Sequence, residues 1–279
     1  MNILTFDIED WFHCDFISDN STWTNYETRI YESTDRILQL LEEKKLKGTF
    51  FILGWIAEKY PKVVEKIHNQ GHEIGCHSSM HDLVHRMNPI AFLKDTESSL
   101  KTIEDITGEK IRIYRAPGFS ITEKTPWAFE ILYNLGIEID CSVFPSNHDY
   151  GGFPGFGESM PARIHYSGIE MKEFPMSTHK LLNRNIVFSG GGFFRLFPYS
   201  IIKKWTKESP YVMSYFHPRD FDYGQPMLPQ LPLIRKFKSY YGLKGAFKKF
   251  EKWLTDFETV SLCQANDNID WNKTKIISL

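Results

Sequence analysis

Through the first half of the chain, short β-forming apolar runs alternate with stretches whose apolar residues recur every three or four positions. Asn2–Asp7 reads as a buried strand, and Ile30, Thr34, Ile37, Leu38 and Leu41 then fall on one helical face. Gly48–Gly54 is the next strand, Ile56–Asn69 a helix closed by Gly71, and His72–His77 a third strand. Pro89–Thr107 has proline at its start and Gly108 just past its end, which marks both termini of a long helix. Lys110–Arg115, Thr125–Leu135 and Ile137–Ser142 keep the rhythm. Strands separated by helices in strict alternation must run parallel, because each helix carries the chain back to the same end of the sheet. An α/β sheet or barrel is therefore expected.

Pro145–Gly168 interrupts this order; rich in Gly and Pro, it reads as a long ordered loop over the working end. Ile169–Phe174, a helix near Tyr199–Lys207 and the apolar strand Tyr211–Phe216 restore it. No repeat, low-complexity tract or linker divides the chain. Residues 1–279 are thus read as one domain, with its motifs inside 2–222 and a helix and strand in 233–265 completing the fold. A 42% hydrophobic share can fill such a core, and the 15% aromatic share is core filler before it is a sugar-binding surface. The net charge of −2 gives no pull toward nucleic acid. Cys14, Cys76, Cys141 and Cys263 are scattered without a CxxC pair, and MNILTFDIEDWF has neither the basic region nor the apolar stretch of a signal peptide. Four reduced thiols in a cytoplasmic protein are expected. No run approaches the roughly 20 apolar residues that cross a bilayer.

In a parallel barrel, functional groups collect where strands end, and polar residues cluster at those points here. The first strand ends in Asp7-Ile8-Glu9-Asp10, the third in His77-Ser-Ser-Met-His81, the fourth in Arg115-Ala-Pro-Gly118, the fifth in Asp140-Cys-Ser142 and the late strand in His217-Pro-Arg-Asp220. His77 and His81, spaced i, i+4, share one face of a helical turn and can hold one cation through imidazole nitrogens. A carboxylate from another strand end, Glu9 or Asp10, would complete a two-histidine, one-carboxylate site with positions open for water and substrate. Asp7 beside them suits a general base, which Arg115 can hold ionised and oriented. His217 leaves a buried strand at its C-terminal end, where it can act as general acid with Asp140 raising its pKa.

TFD-x-E-D at 5–10, HSSMH at 77–81, RAPGF at 115–119, DxS at 140–142 and FHP at 216–218 resemble, in order, the motifs of the NodB-type polysaccharide deacetylases, carbohydrate esterase family 4. GGGFFRLFPY (190–199) and YFHPRDFD (215–222) resemble the cytoplasmic branch found with exopolysaccharide and exosortase systems. The resemblance implies a deformed (β/α)7 barrel, one divalent metal ion (usually zinc, with Co2+, Ni2+ or Fe2+ as alternatives) and hydrolysis of the acetyl amide of an N-acetylated saccharide. It makes Asp7 the base, His77 and His81 metal ligands, Arg115 the residue that orients the base, and His217 the acid tuned by Asp140. The Pro117, Gly118 and Phe119 turn would meet the substrate, with a backbone N–H of Ala116–Phe119 at the oxyanion.

Two positions depart from the family. Most members have adjacent aspartates, the second a ligand, whereas Ile8 stands there in this chain. Same-face i, i+2 geometry then favours Glu9 as the ligand, with Asp10 retained beside it. Phe144 replaces the tryptophan that often lines the acetyl pocket, which stays apolar but changes shape. A rival reading is an amidohydrolase of a small cyclic amide, in the manner of allantoinase-like relatives; another is a carbohydrate-binding protein without catalysis. Finally, Arg235–Lys252 interleaves basic and aromatic residues. It reads first as a last barrel helix with solvated lysines, and second as a peripheral contact with anionic membrane.

Overall fold

The computed structural model describes residues 1–13, 17, 20–148, 151–182, 184–229 and 231–279; Cys14 lies outside the described residues. The N-terminal run forms β1 (Asn2–Ile3) and β2 (Thr5–Ile8). After α1 (Ile30–Glu43) come β3 (Thr49–Ile52), α2 (Gly54–Lys59), α3 (Pro61–Asn69), β4 (Glu73–Cys76), α4 (Pro89–Thr107), β5 (Ile113–Tyr114), α5 (Trp127–Asn134) and β6 (Ile139–Asp140). β2, β3, β4, β5 and β6 lie side by side in that order, every pair parallel. The single helix expected over Ile56–Asn69 is two helices. Pro61 brings no amide hydrogen and a fixed φ, so it opens α3 at its first turn while Tyr60 (φ −132°, ψ 55°) makes the joint.

The expected Pro145–Gly168 loop is only partly a loop. A short hairpin, β7 (Asn147–His148) with β8 (Gly151–Gly152), is followed by β9 (Ala162–Tyr166). β9 pairs antiparallel with β10 (Ile169–Glu173), turning at Ser167 and Gly168, which both have positive φ. β10 runs parallel beside β6. A second hairpin, β11 (His179–Leu181) with β12 (Arg184–Ile186), precedes α6 (Gly191–Leu196) and α7 (Tyr199–Glu208). β13 (Val212–Met213) then pairs parallel with β1, and a further bridge joins Phe6 to Phe216.

The remaining gap, between β10 and β13, is closed mainly by side chains. The hydroxyls of Ser177 and Ser189 donate to the Met213 carbonyl at 3.1 and 2.7 Å, and Met213 N–H donates to Ser177 Oγ at 3.1 Å. Gly190 bridges Tyr215 so closely that a Cβ there would sit 1.8 Å from the Tyr215 carbonyl oxygen. The result is the expected α/β deformed barrel, its seven positions filled by β1–β2, β3, β4, β5, β6, β10 and β13.

The C-terminal part is richer than the one helix and one strand expected in 233–265. It comprises α8 (Leu233–Tyr240), α9 (Leu243–Asp256) and α10 (Leu262–Asp267), and its strand, β14 (Lys275–Ser278), comes later and pairs parallel outside β9. α9 buries Leu243, Ala246, Phe250, Trp253 and Leu254; Phe250 meets Phe6 and Phe216 at ring distances of 5.9 and 4.9 Å. α8 buries nothing. Among the described residues no helix is long and apolar enough to cross a membrane.

Two carboxyl groups stand side by side inside the sheet, Asp140 on β6 and its register partner Glu173 on β10, both fully buried. Burial, reinforced by the Asp140 charge, pushes Glu173 well above its ordinary value, which favours its protonated form. The unfolded chain loses this proton at lower pH than the folded chain does. The stability it contributes is therefore full below about 4.5, the ordinary value, and falls as pH rises. Glu173→Gln keeps a neutral side chain at every pH. Its Tm is expected to gain on the parent's as pH rises above about 4.5, and a pH-independent difference in thermal melts would contradict the upward shift of Glu173.

Candidate active site

Glu9 leaves the end of β2 and His77 the end of β4, and His81 folds back onto both. Glu9 Oε1 lies 2.9 Å from His77 Nε2 and 3.0 Å from His81 Nε2. The ligand atoms of the three residues lie within 4.8 Å of one another. His77 Nδ1 is 2.8 Å from the Arg115 carbonyl oxygen, which can only accept, so Nδ1 carries the hydrogen and Nε2 turns a lone pair inward. In the neutral ring that lone pair faces a carboxylate oxygen with nothing between the two acceptors. A cation removes the conflict, and two imidazoles with one carboxylate suit a divalent ion with open positions. Burial alone would raise the Glu9 carboxyl, but His81, His217 and His77 outweigh it and hold Glu9 well below the usual carboxylate range.

The two histidines do not share a helical turn. They sit in a loop in which Ser78 and His81 take positive φ values of 63° and 58°. Asp95 on α4 holds that loop by accepting Ser79 N–H (2.9 Å) and Met80 N–H (3.2 Å), and Ser78 Oγ accepts His81 N–H (3.1 Å). Asp10 faces away from the histidines. Its Oδ2 accepts from Thr28 Oγ1 and from the backbone N–H of Arg29 and Ile30, and its Oδ1 from Trp11 N–H, all at 2.8–3.0 Å. It thus caps the start of α1 from a distant strand end, a place where amide hydrogens need an acceptor and none comes from the Arg29 side chain. Of the two carboxylates the sequence left open, geometry brings Glu9 to the histidines.

Asp7, two residues earlier on the same face, accepts from Arg115 Nη1 at 2.7 Å. Arg115 is fully buried, donates also to Thr5 Oγ1 at 2.8 Å and lies 4.0 Å over the Phe51 ring. The second Asp7 oxygen lies 3.8 Å from His217 Nε2, which is 4.0 Å from Glu9 Oε1.

His217 is oriented by Asp220, not by Asp140. Its Nδ1 is 3.0 Å from Asp220 Oδ2, which also accepts His217 N–H at 2.9 Å. Asp220 Oδ1 accepts Arg195 Nε–H at 3.1 Å, and the same guanidinium donates to the carbonyls of Lys238, Ser239 and Tyr241. Burial works against the imidazolium, yet Glu9 and Asp220 prevail and raise His217 above its ordinary value. Asp140 is occupied elsewhere: it accepts Ser142 Oγ–H (2.6 Å) and N–H (3.0 Å), and Ser142 Oγ accepts Ala116 N–H (2.7 Å). It therefore fixes the turn after Arg115. The signal for Asp220 was present in His217-Pro-Arg-Asp220, where a carboxylate three residues after a cap, with Pro next to the cap, returns to the cap backbone. Arg195 left no comparable signal.

Pro117–Phe119 forms a tight turn with Gly118 and Phe119 at positive φ. The Phe119 ring stands 6.5 Å from Phe144 and 5.3 Å from Tyr215, and Tyr215 lies 5.9 Å from His217. Phe119 and Phe144 thus contribute an apolar wall that Tyr215 joins to His217.

Residues 3–138 match the family model described as polysaccharide deacetylase, and residues 141–266 match one described as a domain of unknown function, DUF3473. A peptidoglycan-N-acetylglucosamine deacetylase of Bacillus cereus is 33% identical over 100 residues, 36% of this chain; the match spans about a third of the relative's own length (36%). A peptidoglycan deacetylase of Helicobacter pylori is 26% identical over 213 residues, 74% of this chain and 67% of its own. In fold, a crystal structure from Mycobacterium smegmatis, provisionally described as a polysaccharide deacetylase, superposes with a TM-score of 0.67 at 18% identity, covering 99% of this chain and 92% of its own. The deacetylase family model thus matches the first part of the chain, and the solved structure shares its fold.

The geometry separates Glu9 from Asp10 by experiment. Replacing His77 and His81 together with Ala is expected to abolish stoichiometric divalent metal in the purified protein, and Glu9→Gln to weaken it strongly. Asp10→Ala should keep the metal and lower stability by about 1–2 kcal/mol, the usual cost of a lost helix cap. Metal analysis and thermal melts read both, and loss of metal in Asp10→Ala would move the ligand one residue along.

Proposed function

We propose that the chain is a metal-dependent hydrolase that removes the N-acetyl group from a sugar of a glycan, glycan precursor or lipid-linked saccharide, releasing acetate, with O-acetyl removal as the ester form of the same chemistry. The observation that carries this reading is the meeting of a Glu9–His77–His81 cluster with an acid–base pair, Asp7 and His217, 3.8 Å apart. The family match and the relatives' names support it. The strings around Gly190–Tyr199 and Tyr215–Asp222 support a cytoplasmic role in exopolysaccharide biosynthesis.

Glu9, His77 and His81 would hold the cation, and zinc suits this donor set. When bound it supplies a Lewis acid that polarises the acetyl carbonyl and makes nearby water more acidic. Asp7, held by Arg115, takes the proton of the attacking water. The Ala116 and Phe119 amides are already used (Ala116 by Ser142 Oγ, Phe119 by the Ala116 carbonyl), so the Gly118 N–H is the donor in this turn for the developing oxyanion. His217, its Nδ1 pinned by Asp220, delivers a proton from Nε2 to the departing amine. The Phe119–Phe144 wall packs on the acetyl methyl and keeps water from the bond being broken.

Asp7→Asn is expected to keep the metal and lose about 10²–10⁴-fold in the chemical rate. His217→Ala should lower kcat with little change in KM, because the acid acts only in the transition state. Acetate release from a panel of N-acetylated glycans and sugar–lipids, with and without chelator, reads both. No chelator-sensitive turnover on any of them would sink the assignment.

A further inference from the structure

α8 is an amphipathic helix over whose apolar side, among the described residues, nothing packs. No residue of it is buried. Leu233, Ile234, Phe237 and Tyr241, at the end of the helix, share one face, with relative exposures of 84, 73, 51 and 50%. Met227, in the segment that leads into the helix, is 62% exposed. An apolar face held open to water in this way marks an interaction surface rather than a core element.

The surrounding charge selects the partner. Over Arg235–Lys252 the chain carries Arg235, Lys236, Lys238, Lys244, Lys248, Lys249 and Lys252 against the single acid Glu251, in a chain of net charge −2. Lys238, Lys244 and Lys248 are exposed. Lys249 is used internally, on the carbonyls of Phe194, Arg195 and Phe197. An isologous contact with a second copy would set this basic rim against itself. An anionic bilayer offers both what the apolar side chains need and what the lysines need. The helix is also placed to serve the site: Arg195 grips the carbonyls of Lys238, Ser239 and Tyr241 and, by the same guanidinium, Asp220, which holds His217.

We propose that α8 is an interfacial helix that docks this chain on an anionic membrane surface, so that the barrel mouth faces acetylated saccharides carried on lipid. The membrane contact stands on the α8 surface alone; only the nature of what is presented to the site rests on the deacetylase reading.

The test is co-sedimentation of the full chain with phosphatidylcholine vesicles, with and without phosphatidylglycerol, in the absence of substrate. The wild type is expected to pellet with the anionic vesicles only, and to be released as salt screens the lysines. Ile234→Glu combined with Phe237→Glu should stay in the supernatant while keeping its circular dichroism and its metal content. A wild type left in the supernatant with anionic vesicles, or a variant that pellets equally, overturns the proposal. So does a lipid-free wild-type dimer that the variant converts to monomer without any vesicle binding, which assigns the face to a second copy. Pelleting is read without turnover, so failure of the deacetylase assignment and failure of docking give different results.

Discussion

A guanidinium in the middle of a barrel must find compensation for every charge and hydrogen it brings, since an unpaired buried ion costs several kcal/mol or more. Arg115 finds most of it on three neighbouring strands, while its buried Nε–H has no hydrogen-bond partner among the described residues. It meets Asp7 and Thr5 on β2, the Phe51 ring on β3 and Met213 Sδ on β13. Its own backbone is in the ladder as well, with Arg115 N–H on the Cys76 carbonyl and the Arg115 carbonyl on His77 Nδ1. One residue thus sets the orientation of the proposed base and the tautomer of a proposed ligand. Breaking this arrangement would disturb the barrel wall and the chemistry together.

The division of labour between acids follows from the strand. Along β2 and its exit, Asp7 and Glu9 point to the same side and Ile8 to the other, where it joins the core. Two carboxylates on one face, a few ångströms apart, would repel unless each had its own cation. Arg115 serves Asp7, and a cation held together with His77 and His81 would serve Glu9. Asp10, one step out of phase, is released from that face and becomes a helix cap. A frame shift of one residue separates a proposed chemical role from a structural one.

Much of this was legible in the residues. Alternating strand and helix patterns gave the parallel half, because parallel pairing leaves no other route for the chain. Polar residues at strand exits marked the site, because a buried strand has no reason to end in charge. The illegible parts have physical causes as well. The i, i+4 spacing of His77 and His81 suits a helix, but left-handed Ser78 and His81, with Asp95 from another helix, produce the same proximity from a loop. Asp140 is near His217 in motif order only; its hydrogen bonds go to Ser142, and local turn chemistry makes Asp220 the partner. β9 was hidden because a half-exposed antiparallel strand carries a weaker apolar signal than a buried parallel one. Arg195 acts across contacts that span more than forty positions, which no local pattern encodes.

The closure between β10 and β13 has a mechanical consequence. On most of the ring, strands are stitched by backbone amides, which any sequence can supply. On this side two backbone bonds, Tyr215 N–H to the Ser189 carbonyl and Gly191 N–H to the Tyr215 carbonyl, are supplemented by two serine hydroxyls on the Met213 carbonyl and a glycine with no room for a side chain. Such a seam holds by identity of side chain, and it has fewer bonds per unit length than a ladder. Breathing motions of the barrel should therefore start between β10 and β13, while β13 stays laced to β1 and β2 and the β2–β6 wall stays shut. His217 thus follows a strand that has this seam on one side and, on the other, the backbone bridge to β2, whose exit carries Asp7 and Glu9. The barrel can therefore give on the seam side while the backbone bonds of Phe216 with Thr5 and Asp7 keep His217 in register with Asp7.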